Sequence, residues 1–263
     1  MSLKITTWNI NSVRLRIDNV ARLIEQTKPD VLCLQEIKAQ EQDFPHKALR
    51  KLGYEHAAVV GQKGYHGVAI LSRKPFEEVE RVNWCGKEDA RHVRARLQGG
   101  IDLHNFYVPA GGDVPDPEAN DKFAHKLDFI DSMAKYFGKP KGAPSILVGD
   151  LNVAPLEHDV WSHKQMLKVV SHTPVEVEKF TKAQKAGGWV DVMRNFVVPE
   201  QKLYTWWSYR AKDWEASNRG RRLDHVWATP DLAPHFKTME ILKEARSWER
   251  PSDHVPVTVT LDI

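Results

Sequence analysis

The chain has 263 residues, of which 41% are hydrophobic, and it carries 38 lysines and arginines against 35 aspartates and glutamates. Because no linker, repeat or low-complexity tract interrupts it, we expect one domain, residues 1–263, with a sizeable core. The net charge of +3 permits an anionic partner without requiring one. Two cysteines exclude a disulfide framework, and no signal-peptide core or membrane-length apolar run is present. We therefore expect a cytoplasmic protein with no membrane partner.

Apolar patterns in the first half of the chain predict strands and helices in alternation. Leu3 to Trp8 has the pattern of a strand, and Ser12 is the expected N-cap of the helix that follows. The apolar stripe of that helix has helical spacing and consists of Val13, Ile17, Val20 and Ile24. Further strands are predicted over 31–34, 54–60, 68–72, 92–97 and 101–108, with a short helix over 46–52.

The second half predicts two longer helices and more strands. Ala119 to Phe137 keeps helical spacing, and Thr173 is the expected N-cap of a helix that ends near Ala186. Strands are predicted over 146–148, 203–209, 223–227 and 255–261. Because hairpin-like strands dominate the middle of the chain, we expect an α/β fold with two mixed β-sheets packed face to face and helices outside.

Polar side chains recur where the predicted strands end. Asp150 and Asn152 follow the apolar run 146–148 and Gly149, and residues two apart in a strand share one face. By itself this stretch is equally well interpreted as a turn rich in Asp and Asn. Further polar groups occupy similar positions, and they are Asn9, Glu36, Tyr107, Asp224, Asp253 and His254. Because α/β folds place ligands at such strand ends, the set predicts an active site.

The residue types in this set indicate phosphoester hydrolysis. Oxygen donors without a cysteine cluster favour Mg²⁺, with Mn²⁺ as a substitute, over structural zinc. A hard cation neutralises phosphoryl charge while a carboxylate base activates water. An aspartate on one imidazole nitrogen leaves the other nitrogen facing the phosphate, and amide and phenol groups donate to its oxygens.

Six short motifs in fixed order resemble those of exonuclease III-type AP endonucleases, members of the endonuclease/exonuclease/phosphatase superfamily. The motifs are Trp8-Asn9-Ile10-Asn11, Leu34-Gln35-Glu36-Ile37-Lys38, Lys63-Gly64-Tyr65-His66-Gly67-Val68, Gly149-Asp150-Leu151-Asn152, Arg222-Leu223-Asp224 and Ser252-Asp253-His254. The resemblance covers essentially the whole chain. It implies a four-layer α/β sandwich and a Mg²⁺-dependent DNA-repair phosphodiesterase that incises 5′ to abasic sites, trims 3′ ends, or does both.

The resemblance also implies a role for each matching residue. Glu36 and Asp253 would bind metal with Asn9 in the same shell, and Asp150 and Asn152 would hold a second metal position in a two-metal mechanism. Asp150 would be the general base with Asn152 beside it. His254, oriented by Asp224, would contact the scissile phosphate, and Tyr107 would donate to it.

Basic and aromatic residues suit a double-stranded DNA partner with abasic sites or 3′ ends, bound by a monomer. The expected phosphate contacts come from Lys63, Arg91, Arg210, Arg219, Arg221 and Arg222. We expect Trp206 to face the site and to stack on an extruded sugar or terminal nucleotide, with Trp207 in the core.

Two other functions remain possible on the same residues. One is a superfamily phosphatase acting on lipid or inositol phosphates, which the aromatic and basic stretch 206–222 disfavours. The other is a DNA-binding module without catalysis, which the full set of carboxylates and the Asp-His pair disfavour.

Overall fold

The computed structural model describes residues 2–139 and 142–263. Within these ranges the strands are β1 Ser2–Asn9, β2 Val31–Gln35, β3 His56–Val60, β4 Val68–Ser72, β5 Glu78–Glu80, β6 His92–Leu97, β7 Ile101–Tyr107, β8 Ser145–Asp150, β9 Val190–Asp191, β10 Trp206–Trp207, β11 Gly220–Arg221, β12 Asp224–Ala228, β13 Phe236–Ile241 and β14 Val257–Asp262. The α-helices are α1 Ile17–Thr27, α2 His46–Lys51, α3 Asp121–Phe137, α4 His163–Met166, α5 Pro174–Ala186, α6 Val192–Phe196 and α7 Trp214–Ser217. No helix within the described ranges combines the length and apolar character that a membrane crossing requires.

The strands in the described residues form two six-stranded sheets and a two-stranded ribbon of β10 and β11. The first sheet has the order β13-β14-β1-β2-β4-β3 and the second β5-β6-β7-β8-β12-β9. Both sheets are mixed, because β1 is parallel to β2 and β7 is parallel to β8, whereas their other pairs are antiparallel.

Side chains from both sheets share one buried core. Ile5 and Ile70 of the first sheet belong to the same apolar cluster as Leu103 and Val148 of the second. On the outer faces, α1 packs on the first sheet and α3 and α5 pack on the second. Each fully buried aliphatic side chain stabilises the fold by about 1.5–3 kcal/mol. The predicted α/β sandwich, two mixed sheets face to face with helices outside, is confirmed.

The predicted start of the first helix is wrong. The backbone at Ser12 has a φ of 88° and is left-handed, so Ser12 cannot serve as an ordinary N-cap. Its N–H donates to the carbonyl of Glu36 at 2.7 Å, and the N–H of Val13 donates to Ile37 at 3.1 Å. Because these donors belong to the loop after β2, α1 begins at Ile17, with Arg16 as its N-cap.

Other helix and strand boundaries show where local sequence patterns were sufficient to predict the structure and where they were not. Thr173 caps α5 in a capping box with Glu176, as the sequence predicts. The aromatic strand predicted over 203–209 is only two residues long, because Thr205 and Trp207 donate to different partners, Arg221 and Asp253. Strands β5, β9, β11 and β13 were not predicted.

The topology brings the polar strand ends of both sheets to one side. In the second sheet Asp150 is paired in register with Tyr107 of β7 and with Asp224 of β12. In the first sheet Asn9 is paired with Gln35, so Glu36 follows immediately. Gly149 makes the close approach of β7 and β8 possible, because its φ is +136° and an added Cβ would lie 2.0 Å from the carbonyl oxygen of Phe106.

We predict that Gly149→Ala lowers the free energy of unfolding by about 2–4 kcal/mol, because the methyl group meets backbone that cannot move aside. Gly99→Ala is the matched control, since Gly99 also has a positive φ, +95°, but no atom lies within 4 Å of its added Cβ. Urea unfolding of both variants checks this. Equal losses would contradict the steric account of Gly149.

Candidate active site

Asp150 is buried and receives hydrogen bonds from both sheets. The side-chain amide of Asn9, on β1, donates to Asp150 Oδ2 at 2.8 Å and to Glu36 Oε1 at 3.0 Å. The backbone N–H of Asn152 donates to Asp150 Oδ1 at 3.0 Å. Asn9 is itself fixed, because its Oδ1 accepts from the N–H of Asn11 at 3.1 Å. One amide therefore connects the carboxylates at the ends of two facing sheets.

His254 lies between two buried carboxylates. Its Nδ1 is 2.8 Å from Asp224 Oδ2, and its Nε2 is 3.5 Å from Asp150 Oδ2. Burial alone would lower the pKa of His254, but Asp224 and Asp150 raise it to about 10. Burial raises the pKa of Asp150 to about 7, although the charge of His254 opposes the shift. The imidazole is therefore cationic at neutral pH and fixed in orientation.

Asp253 is held at the cavity by an indole and an amide. Trp206 Nε1 donates to its Oδ2 at 2.9 Å, and Asn11 Nδ2 donates to its Oδ1 at 3.1 Å. Burial would raise the pKa of Asp253, but the charge of His254 and these two hydrogen bonds hold it below its usual value. Asp253 is therefore an ionised carboxylate next to His254.

Glu36 and Tyr107 occupy the other side of the site. Lys38 Nζ lies 2.9 Å from Glu36 Oε2. Although burial opposes the shift, Lys38 and Asn9 hold the pKa of Glu36 below its usual value. Burial raises the pKa of Tyr107 well above its usual value, and the charges of Glu36 and Asp150 add to this. Tyr107 therefore keeps its proton and is a hydrogen-bond donor.

The donor set fits a hard cation. Ligand atoms of Asp150, Asp224 and His254 all lie within 4.8 Å of one another. Asp224 Oδ1 is buried without a hydrogen-bond partner in the described part of the chain. Three further carboxylate or amide side chains, Asn9, Glu36 and Asp253, lie beside this group. Several oxygen ligands close together are the usual environment of a hard divalent cation.

A cavity of about 760 Å³ opens beside these groups. Its lining includes most of the predicted catalytic residues, namely Glu36, Tyr107, Asp150, Asn152, Asp253 and His254. The rest of the lining is aromatic and basic and includes Trp206, Arg219 and Arg221. Asn9 and Asp224 are completely buried behind it. Trp207 is also largely buried, and its Nε1 donates to Asn218.

Three of the predicted DNA contacts do not line the cavity. Arg222 is completely buried and pairs with Asp159 and Asp191, so it cannot reach a phosphate. Lys63 is exposed on the loop before β4 and does not line the cavity. Arg91 is buried, pairs with Asp89, and its guanidinium lies 5.0 Å from the centre of the Tyr107 ring. This places Arg91 behind Tyr107, with its charge already neutralised.

The sequence analysis missed a buried ion pair beneath the cavity. Lys126 Nζ contacts Glu176, with both side chains fully buried, and donates to the carbonyl of Asn152 at 2.7 Å. The position of Lys126 in the sequence could have indicated its burial. It lies three residues after Phe123 and four before Ile130, on the apolar stripe of α3. A lysine on such a stripe is buried only with a partner.

Comparison with known proteins identifies the family. The Endonuclease/Exonuclease/phosphatase family model matches residues 6–254. The chain belongs to this family. Exodeoxyribonuclease III of Haemophilus influenzae is 31% identical over 97% of this chain and 98% of the relative. This confirms the resemblance to exonuclease III-type enzymes and identifies a hydrolase of the nuclease type, and the acidic and histidine cluster suits the metal dependence of the family.

Two solved structures of family members share the fold. The structure of an AP endonuclease from Archaeoglobus fulgidus has a TM-score of 0.92 and 33% identity and covers 99% of this chain and 100% of that chain. A Neisseria 3′ phosphatase bound to a product DNA hairpin has a TM-score of 0.90 and 32% identity, with coverages of 99% and 100%.

We predict that Asp224→Asn lowers turnover by about 100-fold or more with little change in KM, because His254 loses the carboxylate that orients and charges it. The pKa of His254, followed by NMR, should fall from about 10. Asp231→Asn makes the same chemical change at an exposed position and should leave both quantities unchanged. An unaltered His254 titration in Asp224→Asn would contradict the pairing.

Proposed function

We propose that this chain is a Mg²⁺-dependent DNA-repair phosphodiesterase that incises double-stranded DNA on the 5′ side of abasic sites and removes groups from 3′ ends. The observation that carries the proposal is the buried Asp150–His254–Asp224 group beside carboxylates suited to a cation, in a cavity with a basic and aromatic wall. The named activities of the relatives, exodeoxyribonuclease III, AP endonuclease and 3′ phosphatase, all act on the same kind of bond in DNA.

The cation would be held by Asn9, Glu36, Asp150, Asn152 and Asp253. When bound, Mg²⁺, or Mn²⁺ in its place, would neutralise phosphoryl charge and lower the pKa of water. The oxygen-only character of these side chains supports the assignment to a hard cation over zinc. Lys38 shares Glu36 with the proposed site, which limits the net negative charge there.

The protonation states of the side chains at the site would give each of them a different role in hydrolysis. Asp150, with a pKa of about 7, is suited to accept a proton from the attacking water near neutral pH. His254 presents a cationic Nε2 to a phosphate oxygen while Asp224 holds Nδ1. Tyr107 donates its phenolic proton to another oxygen of the phosphate. Asn152 holds Asp150 through its backbone N–H.

DNA binding would depend on the cavity wall and the loop before β4. Arg219, Arg221 and Lys63 supply positive charge for phosphates, so affinity should fall as salt concentration rises. Trp206 offers a half-buried ring beside Asp253 for stacking on an extruded sugar or terminal nucleotide. Residues 1–263 would form one catalytic domain that acts as a cytoplasmic monomer.

We predict that Asp150→Asn reduces turnover by about 10²- to 10⁴-fold, because the general base is lost, while duplex binding survives. The assay uses a duplex with one internal abasic site and a second duplex with a 3′-phosphate end. Wild-type protein should cleave both with Mg²⁺ and neither with EDTA. Duplex binding by the wild-type protein and by Asp150→Asn is measured by fluorescence anisotropy in EDTA.

Each alternative has its own outcome in this assay. Near-normal turnover by Asp150→Asn would overturn the role of Asp150. Tight binding by wild-type protein without Mg²⁺-dependent cleavage would favour a non-catalytic DNA-binding module. Cleavage of a soluble phosphomonoester with neither duplex cleaved would favour a phosphatase of non-DNA substrates.

A further inference from the structure

The buried ion pair of Lys126 and Glu176 lies where three loops of the cavity wall meet. Lys126, on α3, donates from Nζ to the carbonyl of Asn152 at 2.7 Å and to that of Ala110 at 3.3 Å, and it contacts Glu176. An ammonium group has three protons, so each of them has an acceptor. Ala110 follows β7, Asn152 follows β8, and both line the cavity. The lysine therefore connects two of these loops to α3.

Glu176 connects the third loop, which precedes α5. Its carboxylate accepts from the backbone N–H of Ser171 at 2.9 and 3.0 Å, from the N–H of Thr173 at 3.1 Å and from the Thr173 hydroxyl at 2.6 Å. Ser171 also lines the cavity. Because these donors hold the carboxylate from several directions, Glu176 fixes the position of the Lys126 ammonium group.

Asn152 links this support to Asp150. Its backbone is left-handed, with a φ of 53°, a conformation that residues other than glycine adopt infrequently. Its Nδ2 donates to the carbonyl of Val108 at 2.9 Å, and its own carbonyl accepts from Lys126. Its N–H donates to Asp150 Oδ1 at 3.0 Å. The bond from Lys126 therefore helps to hold the turn whose N–H orients the proposed general base.

The packing of α3 on α5 does not require a lysine at position 126. The neighbouring positions on the same stripe, Phe123 and Ile130, are apolar and buried. A partly exposed ion pair, Asp131 with Lys179, already joins the same two helices. Moving two charges out of water costs free energy, and well-packed apolar residues often replace a buried ion pair without loss of stability. The loops that Lys126 holds explain its presence better than helix packing does.

We propose that Lys126 is a positioning residue for hydrolysis, because it holds the Asn152 turn and thereby orients the Asp150 carboxylate toward the attacking water. The proposal rests on the proposed function, in which Asp150 accepts the proton of that water. Lys126 is fully buried beneath the cavity lining, so it would act through Asn152 and not on the substrate. Its removal should therefore affect the rate of the chemical step more than the binding of DNA.

Two variants remove the ammonium donor, Lys126→Met alone and Lys126→Met combined with Glu176→Gln. Methionine is close to lysine in length but donates no hydrogen bond, and glutamine avoids an unpaired buried carboxylate if the single variant does not fold. With Mg²⁺ and the abasic duplex, we expect kcat to fall by about 10- to 100-fold in both, with KM changed by less than about threefold. The kinetics are measured at a temperature at which circular dichroism shows each variant to be folded.

Lys179→Met is the matched control, because it removes the ion pair with Asp131 between the same two helices at a partly exposed position. It should leave kcat and KM at their wild-type values even if the free energy of unfolding falls. If the Lys126 variants lose stability but keep the wild-type kcat, the buried ion pair is only structural and the proposal is overturned.

Amide hydrogen exchange, followed by NMR in EDTA without DNA, separates this proposal from the proposed function. Exchange of the Asn152 N–H is measured relative to that of Leu147 in β8, which corrects for changes in overall stability. The relative rate should rise by about tenfold or more in the Lys126 variants and stay at the wild-type value in Lys179→Met.

The two measurements fail independently. If wild-type protein cleaves no duplex, the proposed function fails, and the exchange rate of Asn152 alone decides whether Lys126 holds the turn. A wild-type exchange rate of Asn152 in both Lys126 variants would overturn the positioning role whatever the rates of cleavage.

Discussion

The buried carboxylate of Asp150 is the group on which the rest of the site depends. Its own sheet supplies the backbone N–H of Asn152, but the second donor, Asn9, comes from the opposite sheet and also bonds Glu36. An unpaired buried carboxylate costs several kcal/mol. The two sheets must therefore meet at this edge with Asn9 in place. The same interaction that completes the packing also brings the reactive groups together.

Two buried cations near the cavity are each paired with carboxylates. Arg222 contacts two aspartates and Lys126 contacts Glu176, so each positions a loop around the cavity without presenting charge to it. Asp150, Asp224 and His254 are also buried, and their ligand atoms lie within 4.8 Å of one another. Groups whose pKa values are displaced by such neighbours are typical of active sites.

Sequence patterns were sufficient where burial and local capping act together. The apolar run before Gly149 predicts β8, and Thr173 with Pro174 predicts the start of α5. They failed where distant parts of the chain decide the structure. The N–H of Ser12 donates to the loop after β2, and β13 lies at a sheet edge where five of its six residues, all but Phe236, are exposed or half-exposed. Strand-end polar residues indicated the site, but the inward position of Lys126 and its pairing with Glu176 depend on tertiary packing.

The most direct test of a cation site shared by both sheets is a calorimetric titration with Mn²⁺. Glu36 follows β2 of the first sheet, and Asp150 ends β8 of the second sheet. We expect Glu36→Gln and Asp150→Asn each to weaken Mn²⁺ binding by about tenfold or more, as loss of a metal ligand or its support does. Glu118→Gln, at an exposed carboxylate, should bind as the wild type does. Wild-type affinity in both Glu36→Gln and Asp150→Asn would contradict the account.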